Sequence, residues 1–287
     1  MFSRLRNRFK KESKRKEPYI LKGEYGLSYQ IDPNSALDDQ IVKHGIIQDW
    51  IATKLGEFIN ESGIVLDIGA NAGLLTLPFA KKHVPKGKVY AFEPDMENYK
   101  QLEKNIELNV LSNAIPQFIA LQDDSSIKEI EFFHRRAIDG DKLTNRGLST
   151  LEKISLHNVS SDTVQCLTID QFVKQNKLHT VDFIKIDVEG SEYRVLKGGI
   201  DSIEKFCPII QYEYSPTIDK LTNSNNTNKS FSFLSELGYQ QYIIQDEKKL
   251  VGLKEYDSSL KDCNVLAIHK SNSLSSSINE KSFQLRC

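Results

Sequence analysis

The sequence predicts an α/β fold, a mostly parallel sheet with helices on both faces, and four stretches carry that reading. Ile64-Val-Leu-Asp67-Ile-Gly69-Ala-Asn71-Ala-Gly73 has the unbroken apolar run of a strand covered on both sides and passes straight into a glycine turn. Lys88–Phe92 is a second run, ending in Glu93-Pro94. Phe183–Ile186 and Pro208–Glu213 are two more, closed by Asp187 and Glu213. Helical patterns separate these runs, which is the mark of parallel strands joined by crossovers.

Taken in order, residues 1–18 form a basic arm expected to be disordered, and residues 19–62 a hairpin with glycines at 23 and 26 followed by a helical cap. Within that cap, Ala36 to Asn60 repeats apolar residues at helical spacing, with Trp50 on the apolar stripe. Residues 63–270 form the main domain. Its first helix runs from Leu74 to Lys82 with Pro78 near the start, and Asp95 caps a helix whose Tyr99, Leu102 and Ile106 share a face. Pro116–Leu121 reads as the third core strand, Ile127–His134 and Val164–Ile169 as further strands, and Arg135–Thr150 as an aperiodic flap. Asp170 begins a helix, Arg194–Lys197 continues one that stops at Gly198-Gly199, and Asn223–Ser230 reads as a polar linker. A helix with Phe231, Phe233, Leu234 and Leu237 precedes strands at Tyr239–Gln245 and Cys263–His269, for a sheet of seven strands with a closing antiparallel hairpin. Residues 271–287 are a Ser-rich tail.

The 287 residues are 39% hydrophobic and 27% charged, ordinary values for a soluble domain. No apolar run reaches membrane-spanning length. Cys166, Cys207, Cys263 and Cys287 are widely spaced, without a C-x-x-C pair, which fits reduced thiols and a cytoplasmic location. Residues 1–16 carry eight basic side chains against Glu12, leaving a net −8 on the other 271 residues. An acidic body argues against a basic nucleic-acid cleft, so no specific nucleic-acid partner is expected. The arm is read as solvated, with weak contact to an acidic membrane as the competing reading. Oligomeric state is not encoded in any recognisable pattern.

The strand ends carry the chemistry. Open α/β sheets bind ligands beyond the carboxyl ends of their strands, and Asp67, Glu93, Asp187 and Glu213 all fall there. An acid before the Gly69–Gly73 turn, with Asn71 in place of the middle glycine of a dinucleotide fingerprint, suits a cationic ligand better than a pyrophosphate. S-adenosylmethionine has the right charges, Glu93 being placed for its ribose and Ala120, Leu121 or Asp123, at the end of the third strand, for its adenine edge. Lys185 and Asp187 point to one side of their strand. A buried lysine needs a carboxylate, for which Asp170, Glu189 and Glu213 are candidates. Asp187 is expected to orient donor and acceptor, to act as a base, or to hold a divalent cation.

Six motifs in order, Asp67-Ile-Gly-Ala-Asn-Ala-Gly73, Phe92-Glu-Pro94, Asn105-Ile-Glu-Leu-Asn109, Leu167-Thr-Ile-Asp170, Phe183-Ile-Lys-Ile-Asp-Val-Glu-Gly-Ser-Glu192 and Val195-Leu-Lys-Gly198, resemble the FkbM-type family of S-adenosylmethionine-dependent methyltransferases. The resemblance covers about residues 20–270 and implies a class I methyltransferase (Rossmann-like) fold and O-methylation of a sugar, glycan or secondary metabolite. It assigns cofactor binding to Asp67, Gly69, Asn71, Gly73 and Glu93. Two positions depart from the family pattern: Gln48, often Glu, and the glycine-free loop Asp123-Asp-Ser-Ser126. On charge grounds the expected catalytic residues are Asp187 or Glu213 as base, or both as ligands of Mg2+, with Lys185 stabilising the developing oxyanion; His134 and His157 are further candidate bases. The alternatives are a nucleic-acid or protein methyltransferase, against which stand Asp187-Val-Glu-Gly190 and the reversed Cys207-Pro208, and a non-catalytic binding module tethered by the basic arm.

Overall fold

The protein is described by a computed structural model that covers residues 17–33, 35, 38, 55–56, 58–134, 149–152, 160–246 and 249–272. The basic arm, most of the expected cap helix with Trp50, the greater part of the 135–150 flap, His157 and the tail from 273 lie outside the described residues.

The chain opens with a hairpin, β1 (Tyr19–Lys22) and β2 (Ser28–Ile31), and then enters the main sheet at β3 (Ile64–Ile68). A short helix α1 (Thr76–Pro78) runs on into a π-helical turn over Phe79–His83, followed by β4 (Lys88–Phe92), α2 (Met96–Asn109) and β5 (Ala114–Gln117). Three strands then leave the main sheet: β6 (Ala120–Leu121), β7 (Glu129–His134) and β8 (Ser160–Leu167). The chain returns through α3 (Ile169–Gln175), β9 (Phe183–Ile186), α4 (Glu192–Lys197), α5 (Ile200–Phe206) and β10 (Ile209–Tyr214). It ends with α6 (Pro216–Thr222), α7 (Asn226–Glu236), β11 (Tyr239–Asp246), β12 (Lys249–Leu253) and β13 (Cys263–His269).

The main sheet has the order β12-β11-β13-β10-β9-β3-β4-β5. Strands β5, β4, β3, β9 and β10 are parallel, and β13 runs antiparallel between β10 and β11. From β3 the chain builds outward to β4 and β5, then resumes on the other side with β9 and β10, so the switch point lies between β3 and β9. The α/β class, parallel centre and antiparallel closure match the class I methyltransferase arrangement read from the sequence.

Eight strands, one more than expected, fill this sheet because Lys249–Leu253 pairs along β11; its Gly252 and its brevity hide it from a pattern search. Two other expectations change more. Pro116–Leu121 splits: Ala114–Gln117 forms the sheet's edge, where Pro116 costs no ladder bond, while Ala120–Leu121 joins β8 and β7 in a separate three-stranded sheet. The supposed linker at 223–230 is mostly helix, because Asp219 on α6 accepts from the backbone N–H groups of Asn226 (2.9 Å) and Thr227 (3.0 Å) and caps α7 from a distance. The Gly198-Gly199 stop does end α4, but α5 starts at once.

Alternation along the strands sends Val65, Phe183, Ile209 and Leu266 to one face, against Leu77, Phe79 and the hairpin's Tyr29 and Ile31. Leu66, Ile184, Ile210 and Val265 face the other way, against Ile169, Phe172, Val195, Leu196 and Leu234. The hairpin is fastened by the Asn105 and Asn109 pair, four apart on one side of α2: Asn105 Oδ1 accepts from Gln30 N (2.7 Å) and Asn109 Oδ1 from Ser28 N (2.8 Å). Among the described residues no helix is long and apolar enough to cross a membrane.

Candidate active site

The parallel register that pairs Asp67 with Lys185 across β3 and β9 builds the floor of the site. Lys185, 4% exposed, lies with Nζ 3.5 Å from Asp67 Oδ1 and 3.6 Å from Asp187 Oδ2, and donates to the carbonyl of Gly69 at 2.7 Å. Burial works against its ammonium, but Asp187, Asp67 and Glu93 outweigh it and raise its pKa. The lysine's partners are therefore Asp67 and Asp187. Asp170, a candidate from the sequence, instead accepts from Ser202 and from the Asp201 N–H at the start of α5. Register, which no linear pattern displays, decides the matter.

Asp67 is fully buried and takes the Thr76 hydroxyl at 2.5 Å as well as the lysine. Gly69 turns the chain at φ +77°, and a Cβ there would lie 1.8 Å from the Asp187 carbonyl oxygen, so the two strand ends can meet only at a glycine. Asn71 holds φ +52° and donates its N–H to Glu93 Oε2 (2.8 Å), while Glu93 Oε1 accepts from Asp95 N (2.8 Å). Burial, assisted by the Asp95 charge, raises the Glu93 carboxyl to about 7, against the pull of those two N–H bonds and of Lys185. Asp95 caps α2 through Oδ1, and its Oδ2 lies 3.0 Å from His134 Nδ1; the other ring nitrogen of His134 lies 2.9 Å from Asp162.

A cleft opens above this turn at the switch point. Gly69, Asn71, Glu93 and Asn98 line its polar side; Ala120, Leu121, Phe132 and Leu151 line an apolar wall; Asp187, Val188 and Glu189 close it. Of the residues singled out in the sequence, Gly69, Asn71, Glu93, Ala120, Leu121 and Asp187 reach the cleft, and Asp67, Gly73 and Lys185 sit beneath it. Asp123 turns away: it accepts from Arg194 Nε (3.2 Å) and Lys197 Nζ (3.1 Å), which outweigh its partial burial and lower its pKa. Both ring nitrogens of His134 are engaged, so it does not present a free base to the cleft.

Beside the cleft, Asp187, Glu189 and Glu213 bring carboxylate oxygens within 4.8 Å of one another. Burial first, then the charges of Asp187, Glu189, Glu192 and Asp262, push Glu213 up to about 10. Glu192, also raised by burial to about 7, accepts from Val188 N (3.0 Å) and Gly190 N (3.3 Å) and shapes the turn that carries Glu189. Sequence reasoning missed Phe132 and Leu151 as cleft residues and the role of Glu192. The first two come from the separate small sheet and its flank, for which the sequence offers no signal. Glu192 lay in plain view, five residues after Asp187.

The Methyltransferase FkbM domain matches residues 67–240. The chain is similar to a tRNA(Phe) (4-demethylwyosine(37)-C(7)) aminocarboxypropyltransferase of Methanocaldococcus jannaschii, 33% identical over 115 residues that make up 40% of this chain and 43% of that protein. It is also similar to the 31-O-demethyl-FK506 methyltransferase FkbM of Streptomyces tacrolimicus, 25% identical over 187 residues, 58% of this chain and 71% of that one. A solved structure, the methyltransferase FkbM from Methylobacillus flagellatus KT, overlays with a TM-score of 0.42 at 17% identity, covering 73% of this chain and 44% of that one. The chain spans about half the length of the first curated relatives it matches. With the domain match extending over more than half of its residues, the chain belongs to the FkbM methyltransferase family.

Proposed function

We propose that the chain transfers the methyl group of S-adenosylmethionine to a hydroxyl of a sugar, glycan or secondary metabolite. The observation that carries this reading is Glu93: a carboxylate at the end of β4, fixed by two backbone N–H bonds beside the Gly69–Asn71 turn and facing the cleft. Its remaining lone pairs are available to ribose hydroxyls. Gly69 and Asn71 would border the methionine end, and Ala120, Leu121 and Phe132 the adenine. When bound, the cofactor supplies a methyl group on a cationic sulfur that leaves as a neutral sulfide, so the protein's task is alignment and removal of the acceptor's proton.

Glu213, pushed up to about 10, already holds a proton at neutral pH, which leaves Asp187 as the base of the pair. Lys185 does not reach the cleft; it acts through Asp187 as a positioning residue, holding that carboxylate from below. Asp187, Glu189 and Glu213 offer the oxygen donors that Mg2+ prefers and are the residues that would hold it. Activity insensitive to a chelator removes the metal from this account. The same acids oppose a polyphosphate, so a nucleic-acid acceptor is not expected; the 31-O-demethyl-FK506 methyltransferase among the relatives favours a hydroxyl.

The similarity to a tRNA aminocarboxypropyltransferase supports a second reading, transfer of the cofactor's aminocarboxypropyl group. The spent cofactor separates the two: S-adenosylhomocysteine marks methyl transfer and methylthioadenosine marks the alternative. Screening the full chain with labelled S-adenosylmethionine against hydroxylated glycans and metabolites tests the proposal, and methylthioadenosine as the sole product overturns it.

A further inference from the structure

The three-stranded sheet stands apart from the main sheet, yet it supplies the apolar wall of the cleft: Ala120 and Leu121 from β6 and Phe132 from β7. Something must hold that wall in register with the polar side formed by Asn71 and Glu93. Phe132 and His134, two apart on β7, share a face, and Asp162 pairs opposite Phe132 on β8. The Phe132 and His134 rings meet edge to face at 5.2 Å and 89°. His134, 3% exposed, then spans from Asp162 on its own sheet (2.9 Å) to Asp95 at the head of α2 (3.0 Å), next but one to Glu93. Each ring nitrogen thus has a carboxylate oxygen within hydrogen-bond distance, one from each of the two parts of the molecule that meet at the cleft. Hydrogen bonds to a carboxylate are among the stronger ones, and Asp95 is itself committed to the α2 cap.

We infer that His134 is a positioning residue for cofactor binding: clamped between Asp162 and Asp95, it locks the separate sheet that walls the cleft onto the turn that carries Glu93. The inference rests on the reading of the cleft as an S-adenosylmethionine site. It adds to that reading a residue which touches no ligand and acts through Phe132 on one side and the Glu93–Asp95 turn on the other.

Calorimetric titration of S-adenosylmethionine into the full chain tests it, with the melting temperature of each variant recorded alongside. His134→Gln places an amide, with its own acceptor, between two carboxylates, and affinity is expected to fall about tenfold. Adding Asp95→Asn to that variant keeps the helix cap, since Asn caps as well as Asp. It also gives the introduced amide a donor to accept from, so the double variant is expected to bind more tightly than His134→Gln alone. A gain in affinity without a matching gain in melting temperature separates the clamp from a defect in folding alone. Unchanged affinity in His134→Gln, or a double variant no better than the single one, overturns the inference. Should His134→Gln fail to fold, Asp162→Asn decides from the exposed end, where the Asp162 side chain is 72% accessible: a loss of about threefold supports the clamp and an unchanged affinity overturns it. Wild-type protein that binds no S-adenosylmethionine sinks the cofactor reading itself, a result distinct from wild-type binding that the variants leave intact.

Discussion

The two acidic parts of the site, Glu93 in the cleft and the Glu213 cluster beside it, are built on opposite principles. At the Glu93 end the carboxylate is satisfied: both oxygens accept backbone N–H groups, and its neighbour Asp95 is divided between a helix cap and His134. At the Glu213 end three carboxylates crowd together, and the buried Glu213 Oε2 finds no hydrogen-bond partner among the described residues. The first arrangement fixes a single geometry before any ligand arrives. The second stores repulsion that a proton, a cation or an acceptor hydroxyl relieves. Binding of a constant cofactor and accommodation of a reacting group that changes charge make these different demands.

The sharpest way to break this contrast is Asp187→Asn. With the cofactor end untouched, turnover is expected to fall by about 10²–10⁴-fold while S-adenosylmethionine affinity changes little; comparable losses in both, read by kinetics and calorimetry, would merge the two ends into one. Next comes Glu93→Ala, expected to weaken cofactor binding by about 10–100-fold, as loss of bonds to a charged acceptor does. A smaller effect sharpens the account of stored repulsion. Glu213 and Glu93 have folded-state pKa values raised above their unfolded values, so each favours the fold while protonated. The contribution of these two groups to stability is greatest below about pH 4.5 and declines as the pH rises, through about 7 for Glu93 and about 10 for Glu213. Glu213→Gln removes its share of the decline, and denaturant unfolding near neutral pH should find the variant more stable by on the order of 1–3 kcal/mol. Smallest of all, Asp123→Asn, which breaks contacts with Arg194 and Lys197 outside the cleft, is expected to leave cofactor affinity within about twofold.

The sequence displayed the parts of the molecule governed by local pattern. Apolar runs at Ile64–Ile68, Lys88–Phe92 and Phe183–Ile186, each closed by an acid or a glycine turn, are legible because a central parallel strand tolerates little else. The N-cap at Asp95 was legible for the same reason. What escaped depends on partners far along the chain. The Asp67–Lys185 pair follows from register, the start of α7 from a cap supplied by Asp219, and the Phe132 wall from strands that fold into a sheet of their own. The sequence marks Glu213 as a candidate base; its elevated pKa comes from burial and from Asp187, Glu189, Glu192 and Asp262 gathered around it by the fold, and no spacing along the chain reveals that gathering.

The most direct test of the acid-crowned cleft as the S-adenosylmethionine site is calorimetric titration of wild-type chain and Glu93→Ala at about pH 8 and about pH 6, on either side of the Glu93 carboxyl's raised value. The account predicts one-site binding to the wild type that weakens at the lower pH, as Glu93 gains a proton, and binding to Glu93→Ala that is far weaker and insensitive to that change. Absence of binding to the wild type, or equal affinity in the two proteins, contradicts it.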